Sequence, residues 1–594
     1  MRLGYGYVLL ILVIGGVIVP AKAQKTGTAT PVLTQLEKMT DRFAPTPMRV
    51  DTSKLSSGDQ QALVKLIEAA RLLNDAFMRQ MWSGNAALYS RLQKDTTPLG
   101  KARLHYFWLN KGPWSDIDDY KAFLPGVPPR KLPGANFYPE NMNKEDFESW
   151  VTTLTEDQQK EAKGFFSVIR WKDQTKGASS KNKELITVPY SEEYKDDLTQ
   201  AASLLREAAG LTDNASLKKF LNSRADAFLS NDYYESDVSW MDLDAPLDIT
   251  IGPYETYNDE IFGYKAGFEA YVSVRDEEET GKLGAFTHLL QQIEDNLPLD
   301  PQYRNPKLGA SAAIRVVDQI LATGDGAHGV QTAAYNLPND ERVVQQKGSK
   351  RVMLKNVQEA KFRSVLLPIA RRTLSKPTMV DVNFELFFTH ILAHELMHGL
   401  GPHQIDVQGR QTNPRSELKE LYSAIEEAKA DVTGLWALQY MMDHAKEPGL
   451  ADTLPSDAAA QRQLYTTYLA SSFRTLRFGL NDAHGKGMAM QFNFFMDKGA
   501  YVEHADGTFS VDMDKIKSAV AELDHDLLTL EAQGDYAGAK KMLDELGVVR
   551  PALKKSLDSL QDIPTDIEPI FVTAEELAPT VKSPVKPMRR KKVR

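Results

Sequence analysis

The chain reads as an α+β protein built in two lobes, one mainly helical and one mixed. Three observations carry that reading. At 594 residues the chain is too long for one ordinary core. Long stretches near both ends repeat apolar residues every three or four positions, the helical period. Between them lies DITIGPYETYNDEIFGYKAGFEAYVSVR at 248–275, whose FEAYVSV alternates and is rich in aromatic and branched residues, as a strand does.

The elements follow in order. Arg2 precedes the apolar run YVLLILVIGGVIVP, and Ala21-Lys22-Ala23 stands before Gln24. A basic start, an apolar run and an A-x-A site predict a secretory signal peptide over residues 1–23. The run is short for a membrane span, so the reading is a periplasmic or secreted protein with no stable membrane insertion after cleavage. Residues 24–50 are polar and read as a flexible lead-in. From 53 to 245 the pattern is mostly helical, as in LVKLIEAARLLNDAFMRQMW, AASLLREAAG and LKKFLNSRADAFL, with an irregular stretch at 105–150. Helical spacing returns at 284–295 and 311–321, and 329–345 is rich in turn residues. A short strand is expected after Pro377, leading into a helix that carries His394; another helix follows Pro414. Helices dominate 456–500 and 515–545. The end, VKSPVKPMRRKKVR, is half lysine and arginine and reads as a disordered basic tail.

These readings divide the chain into a mixed first lobe at 51–275, the start of the helical lobe at 276–320, and a return to the first lobe at 321–365. The rest of the helical lobe spans 366–545, a segment packing on both lobes 546–580, and the tail 581–594. The composition, 42% hydrophobic and 25% charged, is that of a globular protein. The net charge of −9 argues against nucleic-acid binding, which wants a cationic surface, although so mild an average leaves room for a local basic groove. The chain has no cysteine, so disulfides and thiolate metal sites are excluded and any metal must be held by nitrogen and oxygen.

The chemistry concentrates in ILAHELMHGLGPH at 391–403. On a helix, His394 and His398 share one face, so both imidazoles can meet one ion with Glu395 beside it, the HExxH arrangement of zinc metalloproteases. The approach, VNFELFFTHILA, is apolar, so this helix should be buried, and buried imidazoles need partners. His390 reads as a core histidine or a partner of the ligands. His403 misses by one residue the last histidine of HExxHxxGxxH, which falls on Gln404. A third ligand must come from elsewhere. Downstream, ELKELYSAIEEAKADVTGLW offers Glu426, Glu427 and Asp431. Glu427 and Asp431 lie four apart and would share a helical face, with Glu427 as ligand and Asp431 orienting an imidazole. Taken in isolation, the same acids fit the solvated side of an amphipathic helix better.

Four segments, in order between about 250 and 500, resemble the dipeptidyl peptidase III family of zinc peptidases. EEAKAD at 426–431 is similar to the family's EECRAE, which implies Glu427 as third zinc ligand beside His394 and His398, with Glu426 and Asp431 supporting them. ETYNDEIFGYKAGFEAYV resembles the family segment that places Glu255 and Tyr257 in the cleft with Glu269 nearby. NLPNDERVVQQKGSKRVMLKNV resembles NIPNYDD and makes Asn336 and Asn339 substrate-binding candidates. DAHGKGMAMQFNFFMDKGA resembles the segment of the catalytic histidine, which falls on His484.

The resemblance implies a helical zinc-bearing lobe and a mixed lobe with a small β-barrel, separated by a wide cleft. It implies one Zn2+ per chain, Glu395 as general base, Tyr257 and His484 acting at the carbonyl oxygen, and an oligopeptide substrate bound by Glu255, Glu269, Asn336 and Asn339. The expected activity is release of dipeptides from a free N-terminus. Other readings are an aminopeptidase or oligopeptidase of different specificity, or a non-catalytic peptide-binding protein. Monomer and homodimer both fit. This sequence departs from the family in three places. HELMH lacks the extra residue of HELLGH, the interval from His398 to Glu427 is shorter, and an arginine expected four residues after His484 is Met488. These mark a divergent bacterial branch, similar to the peptidase-like part of plant Nudix proteins, and they bear on specificity more than on the metal ligands.

Overall fold

The structure is a computed structural model that describes residues 31–172, 184–308, 313–447 and 454–580. The expected signal peptide and basic tail lie outside the described residues.

The centre is one five-stranded sheet made of β4 (Leu247–Pro253), β5 (Phe268–Arg275), β6 (Ala313–Gly324), β7 (Ala334–Leu337) and β8 (Lys350–Leu354), in the order β4-β5-β6-β8-β7. Only β6 and β8 run parallel; the other neighbours are antiparallel. A bulge at Val272/Ser273 interrupts the β5–β6 pairing, and such bulges increase local twist. The sheet is curled and open, with β4 and β7 as its edges. An open sheet therefore stands where a small closed barrel was expected.

Two strands of this sheet serve two cores. Along β8, Val352 and Leu354 join one buried cluster, while Met353 joins the other. β6 divides likewise, with Ile314 and Val316 on one side and Val317, Ile320 and Leu321 on the other. The first core packs the sheet against the helices α1 (Ser57–Met81), α2 (Lys195–Leu211) and α3 (Ala215–Ser230). The second belongs to α4 (Phe384–Met397), α5 (Tyr422–Asp443), α6 (Ala458–Leu476), α7 (Ala483–Asp497) and α8 (Ile516–Gln533).

Several expectations change. Residues 311–321 read as helix, but Ala313–Gly324 is β6. Its apolar residues satisfy helical spacing because a strand covered on both faces loses the alternation that marks a half-exposed one. Residues 376–381 form a 3-10 turn instead of a strand, and Asn383 caps α4 by accepting from Leu386 N–H. The mostly helical stretch also holds a hairpin, β2 (Ser167–Trp171) with β3 (Leu185–Pro189). The described part of the lead-in, residues 31–50, is built into the fold. Leu33–Thr40 is a short helix, and β1 (Phe43–Met48) pairs in parallel with β9 (Asp566–Phe571), tying the first described strand to the last.

Candidate metal centre

The helix α4 is apolar on nearly every side, as a helix inside a core must be. It crosses α5 at Gly434, where a Cβ would stand 3.2 Å from the His394 nitrogen; the glycine lets the two backbones approach. His398 follows the last helical residue in helical conformation, so the i, i+4 relation with His394 holds. The C-terminal carbonyls of α4, which have no partner within the helix, meet cations. Lys429 Nζ donates to Met397 and Leu400 oxygens, 3.0 Å each, and an Arg351 guanidinium N–H donates to the Glu395 carbonyl.

Four donor atoms converge where α4, α5 and α7 meet. The Nε2 atoms of His394 and His398 are 3.1 Å apart. Oε2 of Glu427 lies 3.3 Å from His394 Nε2, 3.7 Å from His398 Nε2 and 3.2 Å from His484 Nε2. The ligand atoms of His394, Glu427 and His484 all lie within 4.8 Å of one another. The outer nitrogens are held elsewhere: His394 Nδ1 is 2.8 Å from Asp431 Oδ1, and His398 Nδ1 is 2.7 Å from Glu426 Oε1. Each carboxylate accepts the Nδ1 proton, so both neutral imidazoles turn an Nε2 lone pair inward. Two lone pairs facing at 3.1 Å beside a carboxylate repel unless a cation lies among them. Oε2 of Glu427 is buried and makes no hydrogen bond of its own. The donor set thus fits one divalent metal ion of the nitrogen- and oxygen-preferring kind.

The surrounding charge favours a cation here. Burial opposes charge on His394, yet Asp431, Glu427 and Glu395 raise its pKa to about 10, so without an ion the ring takes up a proton where a metal would otherwise sit. Burial would raise Asp431, but His394 holds it down to about 2. Glu426 is likewise held at about 2, against burial, by Lys429 and His398. Burial raises Glu531 on α8 well above the usual carboxylate range, and the Glu426 charge adds to the shift. Gln491, seven residues after His484 on α7, donates to Asp431 Oδ2. His390 contacts the Asp431 carbonyl from the core, and His403 is exposed.

A second group of acids sits on the sheet. Glu269, on β5 and 1% exposed, faces Gly252 and Gly324 across the neighbouring strands. Gly324 has φ +64°, and a Cβ there would strike the Phe268 carbonyl, so this approach to β5 requires glycine. Tyr271 donates to Glu269 Oε2, while Oε1 is buried without a hydrogen bond. Burial and the charges of Glu255 and Asp325 push Glu269 well above the usual carboxylate range; burial and Asp325 bring Glu255 to about 7. Tyr257 is 83% exposed. Asn339 donates to the Tyr254 carbonyl beside Glu255, and Asn336 is exposed on β7 directly across from Arg351. Asn336, Arg351 and Glu395 therefore form a continuous path from the sheet to α4, with Nε of Arg351 3.0 Å from Glu395 Oε2.

Sequence reasoning missed Arg351, Asp325, Lys429 and Gln491. Lys429 was within reach, three residues after Glu426 inside EEAKAD; the others meet their partners only through the fold. Met488 is 2% exposed, inside the helical core.

A family model for Peptidase family M49 matches residues 139–408. The plant protein Nudix hydrolase 3 of Arabidopsis thaliana is 44% identical over 585 residues, covering 91% of this chain and 74% of its own length. The chain belongs to peptidase family M49. Two solved structures extend the likeness over the whole fold. Dipeptidyl-peptidase III from Corallococcus sp. strain EGB is 53% identical with a TM-score of 0.75, over 92% of this chain and 99% of that one. The enzyme from Caldithrix abyssi is 42% identical with a TM-score of 0.85, over 91% and 100%. This M49 protein is a zinc metallopeptidase of the dipeptidyl-peptidase III type.

Proposed function

We propose that this peptidase releases dipeptides from the free N-terminus of oligopeptides, with Zn2+ held by His394, His398 and Glu427. The observation that carries the assignment is the pair of Nε2 atoms 3.1 Å apart, each imidazole fixed from behind by a carboxylate. His484 has no such anchor; it is 55% exposed and its Nδ1 is 3.7 Å from Asp482. That freedom suits a group that meets substrate better than a permanent ligand.

A zinc ion at this site supplies Lewis acidity, acidifying a water and polarising the scissile carbonyl. Asp431 and Glu426 keep the imidazole tautomers and ring planes in place. The Glu395 carboxylate takes the proton of the attacking water and passes it to the leaving amine nitrogen. The Tyr257 hydroxyl and His484 donate to the carbonyl oxygen as negative charge develops on it. Burial and the Asp325 charge raise Glu255, and burial with the Glu255 and Asp325 charges raises Glu269; a peptide ammonium relieves that repulsion by pairing with Glu255. Asn336 and Asn339 hold the peptide backbone. The two cores form the walls of a cleft that closes over the peptide and excludes water.

The net charge of −9 supports peptides over nucleic acid as partner, with the protein acting as a monomer or homodimer. Removal of residues 1–23 on export would place it in the periplasm or outside the cell. Among the described residues no helix is long and apolar enough to cross a membrane.

The test is product analysis by mass spectrometry on the zinc-loaded protein. A pentapeptide with a free N-terminus should yield N-terminal dipeptides, its acetylated twin none, and Glu395→Ala should lose activity while retaining zinc. Single residues or internal fragments would overturn the specificity and leave the metal chemistry standing.

A further inference from the structure

Glu395 is attached to more than its own helix. β8 directs Val352 and Leu354 into one core and Met353 into the other; Arg351, by strand alternation, shares the Met353 side, which meets the helical core. Its guanidinium contacts Glu395 twice. One Nη1 N–H donates to the Glu395 carbonyl, an oxygen in the last turn of α4. That carbonyl has no helical partner, because the Gly399 N–H goes to Leu396. The Nε nitrogen lies 3.0 Å from Oε2 of the carboxylate. Its N–H is not aimed at that oxygen, so this second contact is ionic. The side chains are 17% and 25% exposed, enough to desolvate the pair in part and strengthen it relative to a surface ion pair.

We propose that Arg351 is a positioning residue for the general base: from the sheet, it holds both the carbonyl and the carboxylate of Glu395, so that the proton acceptor is set in place by the same strand pair that presents Asn336. The inference rests on the reading of Glu395 as base. A glutamate has three side-chain torsions, and ordering them in each turnover costs rate; a misplacement of about 1 Å at a reacting group costs about 10²-fold. A cation fixed on two atoms of the same residue removes that search. It also makes assembly of the catalytic group depend on contact between the sheet and α4, the two surfaces that must enclose a peptide between them.

The experiment uses full-length zinc-loaded Arg351→Gln, Arg351→Lys and Glu395→Ala, assayed on the free-N-terminus pentapeptide, with metal content measured alongside. Arg351→Gln should lower kcat by about 10- to 100-fold, with KM within about threefold of the parent protein and zinc stoichiometry unchanged. Arg351→Lys keeps the charge without the two-point fork and should recover part of the loss. Parent-level kcat in Arg351→Gln, or a parallel loss of KM and zinc that marks a purely structural cap, overturns the proposal. Should Arg351→Gln fail to fold, Arg351→Lys decides alone, since undiminished kcat in that variant also overturns it. Activity surviving in Glu395→Ala would instead overturn the assignment of the base itself.

Discussion

The helical core and the sheet each gather acidic side chains, but they treat them in opposite ways. Behind the two imidazoles, the carboxylates of α5 have specific partners: Asp431 holds His394, Glu426 holds His398 and Lys429, and both stay ionised at about 2. On the sheet, Glu255, Glu269 and Asp325 crowd one another, and the pKa values of Glu255 and Glu269 rise. The first arrangement aims lone pairs at one point and suits a small divalent ion. The second spreads negative charge along a wall and suits a singly charged ammonium. Burial is similar in both; what differs is that Asp431 and Glu426 face imidazoles and a lysine, whereas Glu255 and Glu269 face other carboxylates.

That comparison can be broken or sharpened, beginning with the largest effect. Glu427→Ala, or chelation of the metal, should reduce peptidase activity to background, because one of the inward donors or the ion itself is gone; a surviving rate would break the helical half of the contrast. Asp431→Asn and Glu426→Gln keep the shape but remove the charged acceptors behind the imidazoles. Each should weaken zinc affinity by about 10- to 100-fold in chelator competition. On the sheet side, Glu255→Gln should raise KM for free-N-terminus peptides by about tenfold and leave zinc affinity untouched.

The same residue sets a pH dependence. Ammonium pairing needs ionised Glu255, so the parent KM should rise as pH falls through about 7, whereas Glu255→Gln should show no such rise. Stability moves the other way. The folded pKa of about 7 lies above the ordinary glutamate value of 4.5, so the folded state binds this proton more tightly than the unfolded chain. The stabilisation from that group is fully present below 4.5 and is lost as pH rises through about 7. Glu255→Gln should therefore melt about 1–3 °C higher than the parent at pH 8, with the difference gone at pH 4. The smallest effect is expected at Asn383, where Ala would cost about 1 kcal/mol in the capping of α4, measured by thermal unfolding.

The pairings within the two metal-site helices were legible in the chain itself. His394 with His398, and Glu427 with Asp431, lie four residues apart, and a helix brings such pairs to one face whatever surrounds them. FEAYVSV declared itself a strand in the same local way. Whether Glu426, Glu427 and Asp431 face solvent or the histidines was not local, and the residue pattern alone left both readings open; the fold turns all three toward the histidines. Only the tertiary structure decided that Ala313–Gly324 is a strand, because burial on both faces erases the two-residue period. It alone joined β1 to β9 across more than five hundred residues of chain, where a polar lead-in carried no local sign of a partner. It also brought Arg351 to Glu395, and Asp325 to Glu255 and Glu269. Periodicity reports which side of an element a residue occupies, and these contacts depend on which element lies opposite.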